Sequence, residues 1–140
     1  MAGYSETPLA KKLGIKENFK IALVGAPSNF RQELGPLADG VSIVPQTRTP
    51  LDLVLLFVKT ETDLRKQFSV LAERLTAAGM LWVAWPKKAS GVATDLDFGV
   101  VQKHGLGVGL VDTKICAVNE VWSGLKFVYR VKDRAGRVRA

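Results

Sequence analysis

The chain has 140 residues, 47% of them apolar and 24% charged, with a formal net charge of +7 and a pI near 9.8. That is the size and balance of one globular domain with a real core, and it excludes a disordered tail, a collagen-like repeat or a disulfide-stapled miniprotein. The one cysteine, Cys116, rules out an internal disulfide, which suits a reducing cytoplasm.

Met1 to Lys20 is polar and has no apolar stretch of the signal-peptide kind. Thr7 to Gly14 reads as a short helix, capped by Thr7, with Pro8 in the first turn and Gly14 at the end. Phe19 to Gly25 reads as a strand whose nearly continuous apolar run expects cover on both faces. Ser28 to Gly35 is a short helix with Phe30 and Leu34 on one face, and Gly40 to Val44 a short strand. Leu51 to Val58 is the second firm strand; it holds the longest apolar run, Leu53 to Val58, too short to span a bilayer. No membrane partner is expected.

The strongest helical pattern follows. Thr60 caps it with Asp63 three residues on, and Leu64, Phe68, Leu71, Ala72, Leu75 and Ala78 make one apolar stripe up to Gly79. Met80 to Trp85 is a third firm strand, stopped by Pro86. Thr94 and Asp97 then read as the start of a helix ending at His104 and Gly105. Val108 to Asp112 is a fourth strand, and Ile115 to Val131 reads as an antiparallel hairpin turning at Ser123-Gly124. Phe127, Tyr129 and Val131 should share its dry face.

Strands alternating with helices predict α/β architecture: a single three-layer Rossmann-like domain over residues 1–129. Its sheet is expected to be mostly parallel, with helices on both faces and an antiparallel C-terminal hairpin. Residues 130–140 are read as a basic extension. They hold Arg130, Lys132, Arg134, Arg137 and Arg139 against Asp133 alone. The order of elements resembles, in compact form, S-adenosylmethionine-dependent methyltransferases: a helix before the first strand, a helix followed by Gly79-Met80-Leu81-Trp82-Val83 midway, and a terminal hairpin.

In such a sheet the ligand crevice lies beyond the carboxyl ends of the strands. Gly25 to Asn29, Lys59-Thr60 and Pro86 to Asp95 should gather there. The first turn, Val24-Gly25-Ala26-Pro27-Ser28-Asn29, has one glycine where dinucleotide and methyl-donor folds want two or three, and Pro27 removes a backbone donor. No acid closes the second strand. The Lys87 to Thr94 loop offers two ammonium groups, two hydroxyls and a glycine ahead of a helix start, a pattern suited to phosphate or carboxylate but not a Walker loop.

The candidate ligand-binding residues are therefore Lys87, Lys88, Ser90, Gly91, Thr94, Gly25 and Ser28. Asn119 and Trp122 join them as pocket-lining residues. Cys116 in its apolar stretch and His104 at a helix end read as structural, not as a catalytic pair. One cysteine, one histidine and scattered carboxylates give no metal spacing. No catalytic residue and no resident cofactor are assigned.

Two stretches, Trp82 to Leu96 and Val111 to Phe127, together with the opening from Gly3-Tyr4-Ser5 to Leu13-Gly14-Ile15, resemble the bacterial domain of unknown function 3052 family. The resemblance spans nearly the whole chain and implies a small bacterial cytoplasmic protein, with no activity to carry over. The leading expectation is a non-enzymatic binder of a small anionic or nucleotide-like ligand. Two alternatives stay open. One is a degenerate methyltransferase-like enzyme. The other is an interaction or nucleic-acid-associated protein using Arg130, Arg134, Arg137 and Arg139, or pairing with its own copies.

Overall fold

A computed structural model describes residues 7–137. Six strands form one sheet: β1 (Lys20–Val24), β2 (Ser42–Ile43), β3 (Leu51–Phe57), β4 (Leu75–Pro86), β5 (Leu110–Ala117) and β6 (Trp122–Tyr129). Their spatial order is β2-β1-β3-β4-β6-β5. β2, β1, β3 and β4 are mutually parallel; β6 runs antiparallel between β4 and β5.

The helices are α1 (Leu9–Leu13), α2 (Phe30–Leu34), α3 (Glu61–Glu73) and α4 (Phe98–Val108). α3 and α4 cover one face, where Leu64, Phe68, Leu71 and Val101 meet Ala22, Val54, Leu56, Leu81, Val83, Leu125 and Phe127. α1 and α2 cover part of the other, where Ala10, Leu13, Phe30 and Leu34 meet Ile21, Leu53, Leu55, Phe57, Trp82 and Ala84. β3 is buried from end to end because both of its faces are dry. The α/β three-layer architecture with its late antiparallel hairpin is thus as its sequence pattern predicts.

Several boundaries differ. α3 starts as expected, with the Thr60 hydroxyl accepting from the Asp63 amide at 3.1 Å, but it stops at Glu73. Leu75 to Gly79, expected in its stripe, belongs to β4. The Leu51 amide donates to the Arg74 carbonyl at 2.8 Å, and Leu51 pairs with Leu75. Sheet pairing outweighs the helical preference of Ala77-Ala78 here. The strand then loops out before Met80 meets Leu53, and the tight return needs Gly79: a Cβ there would lie 2.9 Å from the Leu75 Cβ.

At the first helix the capping position is Pro8, not Thr7, and its side chain offers no acceptor; Gly14 ends it at φ +88°. α4 is capped by Asp97, whose carboxylate accepts from the Val100 amide at 2.9 Å, while Thr94 bends the chain ahead of it. α4 also runs past Gly105 to Val108, with Gly109 as its cap, because Gly105 sits against the sheet and does not turn the chain out. The hairpin turns at Val118 to Val121, not at Ser123-Gly124. Gly124 lies inside β6, where a Cβ would meet Val118 at 2.9 Å and the Trp82 ring at 3.2 Å. Val131 falls outside β6 and is exposed.

Much of the basic C-terminal stretch folds back. The Arg137 guanidinium donates to the Ala72, Glu73 and Leu75 carbonyls at 3.2, 3.0 and 2.8 Å and lies 4.0 Å from the centre of the Tyr129 ring. It meets the Ala72 and Glu73 carbonyls at the negative end of α3 and the Leu75 carbonyl at the start of β4. Tyr129 adds a hydroxyl bond to Ala72 at 2.8 Å, and Arg134 donates to the Tyr129 carbonyl at 3.0 Å. Arg139 lies outside the described residues. Arg137→Ala is expected to cost about 1–2 kcal/mol, after discounting for solvent screening. Arg137→Lys should recover only part of that, because an ammonium can meet the carbonyls but lacks the planar face that lies on the Tyr129 ring. Urea unfolding followed by circular dichroism checks both values.

Candidate functional site

The sheet grows in one direction from β1 to β2 and in the other from β1 to β3, so its switch point lies between the carboxyl ends of β1 and β3. At that place the chain leaves β1 through Gly25, at φ +71°. A Cβ on Gly25 would lie 2.8 Å from the Phe57 carbonyl oxygen, so only glycine lets the turn lie down on the end of β3. Ser28 and Asn29 stay exposed beyond it.

Beneath this rim runs an aromatic chain. Phe57 meets Phe30 edge-on at 4.9 Å and Trp122 at 5.0 Å. Trp122 is positioned by Asn119, whose side-chain oxygen accepts from the Val121 and Trp122 amides at 2.9 Å each. The Asn119 amide donates to the Glu33 carboxylate of α2 at 2.8 Å. Gly25, Asn119 and Trp122 are therefore brought together around Phe57. Phe30, Phe57 and Glu33 were missed by sequence reasoning. Nothing local marks them, since two are apolar residues at buried positions and one is an ordinary helix-surface acid.

The loop after β4 takes a different course. Lys87 donates its amide to the Val121 carbonyl at 2.7 Å, which ties the loop to the hairpin turn. The Ser90 hydroxyl donates to the Lys87 carbonyl at 2.6 Å and accepts from the Val92 amide. The Thr94 hydroxyl donates to the Lys59 carbonyl at 2.6 Å. Both hydroxyls are engaged by the chain's own backbone. Lys88 and Gly91 are exposed, with nothing within 4 Å of a Cβ on Gly91, and Lys87 is half-buried. Asp95 caps α3: its carboxylate accepts from the Glu61 amide at 2.8 Å, so the positive end of α3 already holds an anion. The loops after β3 and β4 thus form one stitched rim beside the switch point.

Between α3 and α4 lies a groove of about 490 Å³, lined by Glu61, Arg65, Val100, Lys103, His104, Gly107 and Val108. His104 lies below the usual histidine range, because burial disfavours its charged form and Arg65 adds to this while Glu61 opposes it. Its ring meets Phe68 edge-on at 5.2 Å. Cys116 packs on the face away from α4, so the sheet separates the two groups and they form no catalytic pair. Among the described residues, no group of histidine, cysteine and carboxylates could hold a metal ion, and no helix is long and apolar enough to cross a membrane.

No family model and no curated protein matches the chain. Solved structures do resemble it. Magnesium protoporphyrin IX methyltransferase from Synechocystis PCC 6803 with bound SAM aligns with 87% of this chain and 74% of its own at 11% identity, TM-score 0.55. The same enzyme with bound SAH aligns over 87% and 78%, again at 11% identity and TM-score 0.55. A SAM-dependent methyltransferase from Aquifex aeolicus aligns over 85% and 86% at 15% identity, TM-score 0.52. At such identities the likeness concerns the fold, which is methyltransferase-like. It also corrects the leading expectation from the sequence. The solved structures that share this fold are methyltransferases, so a non-enzymatic anion binder no longer stands as the leading reading.

Proposed function

We propose that this protein is a methyltransferase-type domain that binds S-adenosylmethionine, or its demethylated product, at the carboxyl edge of the sheet beside Gly25. The observation that carries the reading is the switch point itself: the turn at Gly25 is pressed onto Phe57 where an open α/β sheet takes its ligand. The resemblance to SAM-bound folds supports it.

The residues fit the donor in reduced form. Gly25 and the exposed Ser28 and Asn29 would hold it through backbone and hydroxyl contacts. The exposed Lys59 would meet its carboxylate. The rim of Lys87, Lys88, Ser90, Gly91 and Thr94, with Asn119 and Trp122 behind it, would cover it. A sugar-binding acid is missing: β2 runs on into Val44-Pro45-Gln46, and the Gln46 side chain accepts from Arg74 at 3.2 Å. When bound, the sulfonium donor supplies a methyl group to a nucleophile. The chain's own part is to hold the donor and exclude water.

Membership of the domain of unknown function 3052 family belongs to this proposal, as does a bacterial cytoplasmic setting, which the single thiol suits.

Titration calorimetry with S-adenosylmethionine and S-adenosylhomocysteine tests the reading. Micromolar binding is expected. Ser28→Trp should weaken it at least tenfold with unchanged circular dichroism, since that side chain is exposed. No heat at millimolar concentration of either compound removes the proposal.

A further inference from the structure

The hairpin face turned away from α4 carries an arrangement that the fold does not require. Up to Asp112, β5 alternates in step with β6: Leu110 and Asp112 point toward α4, and Asp112 accepts from Gln102 there at 3.2 Å. A bulge at Thr113 then shifts the register by one residue, so Asp112 opposes Phe127 but Lys114 opposes Lys126. The extra residue swings Lys114 and Cys116 onto the outer face.

Two ammonium side chains now stand directly across from each other, a pairing that destabilises a sheet. α1 adds two more. The Lys12 ammonium donates to the Ala117 carbonyl at 3.1 Å, and the Lys114 ammonium donates to the Lys12 carbonyl at 3.0 Å. The groups acting on Lys126 are Lys114, Lys16 and the Cys116 thiol, with no carboxylate among them, and its pKa is lowered, first by burial and then by the two lysines. Burial pushes the Cys116 thiol up in spite of Lys12, Lys114 and Lys126 around it, which makes the thiol a poor nucleophile.

We propose that this lysine face, built from Lys12, Lys16, Lys114 and Lys126, binds the phosphodiester backbone of a nucleic-acid strand. Each ammonium has three donors, and the bonds that fix Lys12 and Lys114 use one apiece, so both remain able to meet phosphate oxygens. A protein partner fits worse. Lysine is depleted at protein interfaces, where aromatic and arginine anchors dominate, and the one aromatic ring here, Trp82, is fully buried under Lys126. Readout would be of backbone charge, without sequence preference. The surface meets the carboxyl edge at Ala117, yet it does not depend on the methyl-donor reading.

Fluorescence anisotropy of a labelled single-stranded RNA against the full chain tests the proposal, over a range of salt. Four lysine contacts predict a slope of log affinity against log salt of roughly −3. Lys114→Gln/Lys126→Gln should weaken binding about tenfold at low salt and flatten the slope by roughly 1.4. Lys114→Arg/Lys126→Arg should bind as the parent does. The exposed pair Lys66→Gln/Lys103→Gln, with the same loss of charge on α3 and α4, should change binding far less. The glutamine variant should also melt no lower than the parent, because a repulsion has gone. Equal losses in the two glutamine pairs, a flat salt response, or displacement of the RNA by polyglutamate at equal charge would each overturn it.

Discussion

Replacing Gly105 with valine is expected to lower the unfolding midpoint by on the order of 10 °C, corresponding to about 3 kcal/mol. Gly105 is buried where α4 crosses β6, and a Cβ built there would overlap the Phe127 ring, with Cδ1 and Cζ both at 2.6 Å. Phe127 cannot retreat. It is itself fully buried and held edge-on by Phe68 at 5.1 Å. Any side chain at 105 must push the helix off the sheet, which separates Val101 from its partners in the same core. Alanine provides the sharper comparison. On a free helix Gly→Ala would gain about 1 kcal/mol; here Gly105→Ala should still destabilise, since overpacking costs about 1–3 kcal/mol. Combining it with Phe127→Leu should recover part of the loss, giving a favourable coupling in a double-mutant cycle. Calorimetry on the four proteins decides it: a stabilised Gly105→Ala would mean that α4 does not sit as close to β6 as described.

Trp82→Ala is expected to be the costliest single truncation on the opposite face, at about 3–5 kcal/mol. The ring is fully buried, and its Nε1–H donates at 2.9 Å to the carbonyl of Leu13, the last residue of α1. The ring therefore both fills the layer and fastens α1 across 69 positions of chain. Trp82→Phe separates the two roles. It keeps most of the volume but leaves the Leu13 carbonyl without its donor, for a cost of about 1–3 kcal/mol. Amide exchange should show α1 opening first in that variant, with β3 still protected. A Trp82→Ala protein less than about 1 kcal/mol weaker than its parent would contradict this packing.

How much of this was legible beforehand follows from the range of the interactions. The start of α3 could be read because Thr60 and Asp63 are three residues apart and the cap is local. The end of α3 could not. Leu75-Thr76-Ala77-Ala78 looks helical on its own, and only pairing with Leu51, far upstream, makes it a strand. The hairpin turn was misplaced for a similar reason. Ser123-Gly124 has turn chemistry, yet Gly124 is needed inside β6, where the Trp82 ring and Val118 leave no room for a side chain. At the site, Gly25 was visible as a turn residue, but its contact with Phe57 was not. The hydroxyls of Ser90 and Thr94 looked available to a ligand until their carbonyl partners were known.

The sequence by itself determined the class of fold, the order of strands and helices, and which faces are dry, because apolar periodicity and helix caps act within a few residues of chain. The tertiary structure alone decided where the sheet reverses its growth, which donors are already spent, and that a single bulged residue sets Lys114 against Lys126. Those outcomes depend on residues tens of positions apart meeting at fixed register, and no local pattern encodes which strand will lie beside which.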